Sequence, residues 1–249
     1  MSSPTESHSD VSGFDPKEKS GDGLVTLAGR EPFARGGKRA CYLHPENPEL
    51  CIKLPLPEQL PADLYRAAPW YERIRKSVRH FDENHREWVA AQWVERHRGE
   101  TIWNHLPRYY GWVETDLGRG VLTEVCRDDD GLISRSLLDY LWTHGHTTAV
   151  RRAIDEFSEF WIREGVPAHN FILNNLVCQK REDGRLRIRV VDGLGSRTWI
   201  PLCRWSKPFS RRDARKRIAH LRFRVEQVLK RIENGSKPRN SNGFLLSRL

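Results

Sequence analysis

The stretch Ala34-Arg35-Gly36-Gly37-Lys38-Arg39-Ala40-Cys41-Tyr42-Leu43, followed by Leu50-Cys51-Ile52-Lys53-Leu54, decides how the chain is read. Glycine frees the backbone from Cβ clashes, so Gly36-Gly37 marks a turn across Ala34 to Arg39. Ala40 to Leu43 and Leu50 to Leu54 read as strands. The loop between them, His44 to Glu49, carries two prolines and an asparagine. The run Leu24 to Leu27 would precede them as a first strand. A cation, Lys53, falls inside the third strand.

Beyond a proline-punctuated segment, Pro55 to Pro61, the residues Glu83 to His97 predict a helix. Glu87, Ala90, Ala91 and Val94 share one face, flanked by Trp88 and Trp93. A carboxylate on an apolar stripe needs a partner, and Lys53 is the candidate. Tyr109 to Glu114 and Val121 to Val125 read as a hairpin turning at Asp116 to Gly120. An acidic connector, Cys126 to Gly131, follows.

The second half is mainly helical. Ser134 is placed to cap a helix through Trp142. From Thr148 to Glu164 the stripe Val150, Ala153, Ile154, Phe157 and Trp161 repeats every 3.6 residues, and Gly165 ends it. Val166 to Asn175 is a loop and Leu176 to Cys178 a strand. In Leu186 to Val191 apolar Leu186, Ile188 and Val190 alternate with Arg187 and Arg189. The strand runs into Asp192-Gly193-Leu194-Gly195. A last helix, Ser210 to about Glu233, turns Ile218, Leu221, Val225, Val228 and Ile232 inward and leaves an arginine-rich outer surface.

The 249 residues are 38% hydrophobic and 30% charged, enough for one large domain or two small lobes around a cleft and too apolar for a disordered chain. Residues 1–23 and 234–249 read as flexible tails. No apolar run approaches the roughly 20 residues of a membrane helix, and no secretory signal is evident. The five cysteines are scattered without a CxxC pair, which predicts reduced thiols and a cytoplasmic location. The net charge of +9 would attract phosphates, nucleic acid or acidic partners. The arginine-rich helix reads first as a solvated face closing the fold, which makes nucleic acid the weaker partner.

The order of these features carries the functional reading. A glycine turn, a strand lysine, a helix with an inward glutamate, a hairpin, a connector, helices, a loop ending in Asn175 and a strand ending in Asp192 follow the order of a protein-kinase-like phosphotransferase. The predicted fold is α+β and bilobal. Residues 24–126 form a small antiparallel-sheet N-lobe with its helix and connector, and residues 127–233 a mainly helical C-lobe.

In such a fold Gly36 and Gly37 let backbone amides approach phosphates. Lys53 pairs with the phosphates and Glu87 holds Lys53. Asn175 and Asp192 coordinate Mg²⁺, which favours oxygen ligands. Glu124 and Cys126 belong to the connector beside an adenine edge. ATP and magnesium are therefore the expected cofactors.

Two departures stand against an ordinary kinase. Gly36-Gly37 lacks the fuller G-x-G-x-x-G pattern. Five residues before Asn175, where a catalytic aspartate belongs, stands Asn170, whose amide cannot accept a substrate proton. The adjacent His169 has a side chain able to do so. Three functions follow: an ATP-binding regulator of pseudokinase type, an atypical kinase with an unidentified protein or small-molecule acceptor, and a basic binding protein for nucleic acid or an acidic partner on the same scaffold.

The runs Arg39 to Glu46, Cys51-Ile52-Lys53, Pro107 to Asp116, Asn175 to Cys178 and Ile200 to Lys207 resemble the YrbL family, the PhoP regulatory network proteins. The similarity spans about Gly29 to Leu229. It implies a bacterial cytoplasmic protein with a kinase-like fold and a regulatory setting. It also implies that the missing loop aspartate is a trait of the family.

Overall fold

The computed structural model describes residues 24–169, 171–195, 207–236 and 244–245. In chain order the strands and helices are β1 (Ala34–Arg35), β2 (Arg39–Leu43), β3 (Leu50–Pro55), α1 (Pro61–Ala67), α2 (Trp70–Arg75), α3 (Val78–Phe81) and α4 (Glu83–His97). After them come β4 (Tyr109–Thr115), β5 (Gly118–Glu124), β6 (Arg135–Ser136), α5 (Leu137–His144), α6 (Thr148–Glu164), β7 (Leu176–Lys180), β8 (Leu186–Val190), α7 (Lys207–Glu233) and β9 (Phe244–Leu245). The expected mixture of helices with antiparallel sheets is what the chain forms.

One sheet has six strands in the order β4-β5-β3-β2-β1-β9, and a second has three in the order β6-β7-β8. All paired strands run antiparallel. β3 is central and reads Leu-Cys-Ile-Lys-Leu-Pro, with its first five residues buried. Leu27, Ile52 and Leu54 pack together, while Cys51 packs with Phe33, Val125 and Ile133. These two small clusters lie apart from the main core. That core joins Ala90, Ala91 and Val94 of α4 to α5, α6, α7 and the β7–β8 hairpin. Its centre is aromatic: Trp161 meets Phe171 edge to face at 5.2 Å between ring centres, and Phe157 meets Phe171 at 5.4 Å. Because α4 contributes to this core and also contacts β3, β4 and β5, it ties the large sheet to the helices.

α4 and α6 begin and end where the sequence predicts. Gly165 takes φ +62° and closes α6 in the left-handed conformation. α7 starts three residues ahead of the expected Ser210, and its Ala214, Ile218, Leu221, Val225 and Val228 are buried.

Elsewhere the structure corrects the sequence reading. Leu24 to Leu27 is not a strand: Val25 bridges to Thr115, and the Asp116 carboxylate accepts from the amides of Leu27 and Ala28 at 2.7 and 2.9 Å, which turns the chain away. Residues 61–81 form three helices of four to seven residues, too short for periodicity to reveal. The β4–β5 turn is confined to Asp116 and Leu117, where the Thr115 hydroxyl donates to Gly118 O at 2.6 Å. Ser136, not Ser134, caps α5 by accepting from the Asp139 amide, while Ser134 donates to Asp128 at 2.7 Å.

Among the described residues, no helix is long and apolar enough to cross a membrane. Cys41, Cys51, Cys126 and Cys178 are free thiols.

Candidate functional site

A cleft of about 580 Å³ opens between the six-stranded sheet and the chain around the β7–β8 hairpin. Its floor is a buried charge cluster whose construction begins in β2 and β3. Cys41 stands opposite Lys53 in that antiparallel pair, so both side chains share a face. The two-residue period of a strand brings Arg39 to the same face.

α4 supplies the anion. Asp82 caps it by accepting from the His85 amide at 3.0 Å. Within the first turn, Asn84 Nδ2 donates to Lys53 O at 2.9 Å and fixes the helix against β3. Glu87 then lies over the strand face. Its Oε1 accepts from Arg39 Nη2 at 2.9 Å and from the Gly193 amide at 2.8 Å. Its Oε2 accepts from Arg39 Nη1 at 2.9 Å, the Tyr109 hydroxyl at 3.2 Å and Lys53 Nζ at 3.4 Å. The expected Lys53–Glu87 pair therefore exists, but Arg39 holds Glu87 at shorter range and with two hydrogen bonds. Lys53 Nζ makes its shortest bond to Val191 O, at 2.6 Å, and sits 5.4 Å from the Tyr109 ring centre.

The electrostatics follow from burial. Arg39, Lys53 and Glu87 are 6%, 5% and 3% exposed, so each must be paired to remain charged. Burial alone would raise the Glu87 carboxyl, but Arg39 and Lys53 outweigh it and hold it well below the usual carboxylate range. Burial alone would depress Lys53, and Glu87 reverses that, keeping the ammonium protonated. Asp192 is different. Its side chain is 43% exposed toward the cleft. Desolvation pushes its carboxyl up to about 6, with Arg39 opposing and Glu87 adding to the rise.

Gly36 and Gly37 border the cleft in the β1–β2 turn, where the Gly36 amide donates to Arg39 O at 2.8 Å. Neither has a positive φ, and a Cβ on Gly37 would meet nothing within 4 Å. The fold itself does not require glycine at position 37.

Connector residues Glu124 and Cys126 border the cleft as well. The Glu124 carboxylate accepts from Arg189 at 2.8 and 2.7 Å and from the Arg108 amide at 3.0 Å. Several backbone groups there are engaged internally: the Glu124 amide with Arg108 O, the Val125 amide with Glu49 O, and Cys126 O with the Ser134 amide. Burial pushes the Cys126 thiol up to about 11, so it is a neutral packing group.

On the opposite wall the His169 amide donates to Gly193 O at 2.7 Å, and the Val191 amide to Asn175 O at 2.9 Å. A Cβ on Gly193 would lie 3.7 Å from Asn175 Nδ2 and from His169 Cβ, so these two side chains flank that glycine. Asn170, the position read as the missing catalytic base, lies outside the described residues. Every other predicted site residue borders this one cleft.

Sequence reasoning missed Arg39, Asn84, Tyr109 and Arg189. Arg39 lies two residues before Cys41, the residue opposite Lys53, a register that the structure supplies. Arg189 reads as the exposed half of an alternating strand but is 3% exposed. It satisfies Trp103 O, Leu106 O and Glu124 where β8 meets the large sheet.

Magnesium fits this donor set poorly. A permanent cation already stands on one oxygen of the Asp192 carboxylate, Arg39 Nη2 donating to Oδ1 at 2.5 Å.

A family model, "PhoP regulatory network protein YrbL", matches residues 25–226. Proteins described as "Uncharacterized protein YrbL" from Escherichia coli (strain K12) and from Shigella flexneri are each 25% identical over 189 residues. The match covers 74% of this chain and 80% of theirs.

Proposed function

The chain belongs to the family of the PhoP regulatory network protein YrbL, and from that premise we propose that it is a nucleotide-binding regulatory protein with a protein-kinase-like bilobal arrangement. In this reading β1–β5 and α4 form the N-lobe and the helical half the C-lobe. ATP lies in the cleft between them.

The observation that carries the reading is the buried Lys53–Glu87–Arg39 cluster on the floor of a 580 Å³ cleft. Two cations share one buried carboxylate there, so the trio keeps one net positive charge that an anionic ligand would match. The volume lies in the range of small-molecule and cofactor sites. Two glycines border the cleft, one of which the fold does not demand, leaving backbone room for phosphates. The connector beside Glu124 and Cys126 would read the adenine edge with the backbone groups that internal hydrogen bonds leave over.

In the same reading phosphate transfer is atypical or absent. An asparagine replaces the proton acceptor, and that step is worth roughly 10²–10⁴-fold. Catalysis by positioning alone can persist without it. His169, beside Asn175 and Gly193, is the cleft residue able to take the proton.

The test uses thermal unfolding with ATP, for the wild type and Gly37→Val. A ligand that binds only the folded chain stabilises it by about 2.7 kcal/mol at a hundredfold excess over Kd. That raises the midpoint by several degrees at this size. Gly37→Val is expected to unfold at the wild-type midpoint without nucleotide and to lose the ATP-dependent rise. No rise in the wild type at millimolar ATP overturns the reading.

A further inference from the structure

Arg39 accepts no role from the kinase-like order of motifs, yet it is the most connected cation of the cleft. Its guanidinium donates to both carboxylate oxygens of Glu87, to the Asn84 side-chain oxygen and to Asp192 Oδ1. Four acceptors on α4 and beyond β8 thus fix one planar fork. The group cannot lose its proton, and its geometry suits phosphate oxygens as well as carboxylates.

It also stands on the carboxylate that a divalent cation would need. A metal ion at Asp192 would face this permanent charge at close range. Moving Arg39 aside would leave Glu87 with only one charged partner, Lys53, at 3.4 Å. Arg39 is 6% exposed, and Glu87 and Asn84 hold its guanidinium on α4 at the cleft floor. Asp192, by contrast, is turned partly toward the cleft, so a ligand bound there meets the Arg39–Asp192 pair together.

We infer that the cleft takes the polyphosphate of its nucleotide without a divalent cation, the Arg39 guanidinium supplying the positive charge that magnesium would otherwise bring. This rests on the nucleotide-cleft reading above. The Nη hydrogens of Arg39 are all engaged in the free protein, so the phosphates take the place of the exposed Asp192 carboxylate on Nη2; Asp192 is then a displaceable partner of Arg39, not a metal ligand.

Calorimetric titration of the full chain with ATP, in EDTA and in millimolar Mg²⁺, tests this for the wild type, Asp192→Asn and Arg39→Lys. The expected result is a wild-type Kd in EDTA within threefold of the Kd in Mg²⁺. Asp192→Asn should keep or tighten binding in EDTA, because an acidic neighbour of the phosphates is gone while Arg39 stays. Arg39→Lys, which keeps the charge and loses the fork, should weaken binding in EDTA at least tenfold. Binding more than tenfold tighter with Mg²⁺, or lost in Asp192→Asn, overturns the inference and leaves the nucleotide reading standing. Wild-type protein that binds ATP under neither condition overturns both.

Discussion

The backbone amide of Gly193 donates to Glu87 Oε1 at 2.8 Å, joining α4 to the chain just past β8 across 106 positions. Through that bond the carboxylate that holds Arg39 and Lys53 also sets the position of the segment carrying Asp192. Replacing Glu87 with Ala leaves two buried cations facing a cavity, and removing one partner of a buried pair costs about 3–5 kcal/mol. Glu87→Gln keeps an acceptor for Gly193 and Tyr109 but not the charge, so it should fall between the two. Urea denaturation of the three proteins checks the order; equal midpoints would mean the cluster is hydrated and contributes little.

Arg189 does for the connector what Arg39 does for the floor. It bonds the Glu124 carboxylate twice and two carbonyls besides. Arg189→Leu strands two backbone carbonyls in addition to Glu124. Glu124 is 30% exposed and can recover some hydration, so the expected cost is about 2–3 kcal/mol. Glu124→Gln should cost less. The double variant should cost less than the sum, because the two residues share one interaction. Strict additivity in a denaturation cycle would rule out the pairing.

How much of this was legible depended on length and on charge. α4 and α6 run 15 and 17 residues, long enough for their stripes to be unmistakable, and Glu87 announced itself as a carboxylate within one of them. α1 to α3 never complete two turns, so only their prolines were visible. Arg39 was hidden by its neighbours: beside Gly36, Gly37 and Lys38 it reads as the polar end of a turn. Its burial comes from α4 and the segment after β8, contacts 45 to 153 positions away, which no local pattern encodes. Arg189 failed for the same reason, since its partners come from outside its own hairpin.

His105 gives the fold an acid-sensitive contact. Its Nδ1 lies 2.7 Å from Ile188 O and therefore carries the proton, and its ring lies 4.4 Å from the Phe160 ring centre. Burial pushes its pKa down to about 4, with the Ile188 carbonyl opposing. Above pH 6.5 the side chain is neutral in both folded and unfolded chains, and its contribution is fully present. Between pH 6.5 and 4 the unfolded chain takes up a proton that the folded one refuses, so stability falls, by about 3 kcal/mol in total. In His105→Phe that component disappears. The other histidines remain in both proteins and cancel in the difference between their stability–pH curves. A difference curve flat from pH 7 to 4 would assign the acid sensitivity elsewhere.

Gly165 is held by two constraints at once. Its φ of +62° is one that L side chains rarely adopt, and a Cβ there would come 2.5 Å from Ser210 Oγ and 3.2 Å from Ser210 Cβ. Ser210 is buried in α7, so the α6 terminus and α7 meet across a space the size of a missing methyl group. Gly165→Ala should destabilise by about 1–3 kcal/mol, the sum of backbone strain and overpacking. The two parts separate in a second variant. Ser210→Gly removes the clashing atoms without touching φ, so Gly165→Ala in that background should cost only the strain of about 1 kcal/mol. If both backgrounds show the same cost, the strain alone accounts for the glycine and the approach of α7 does not.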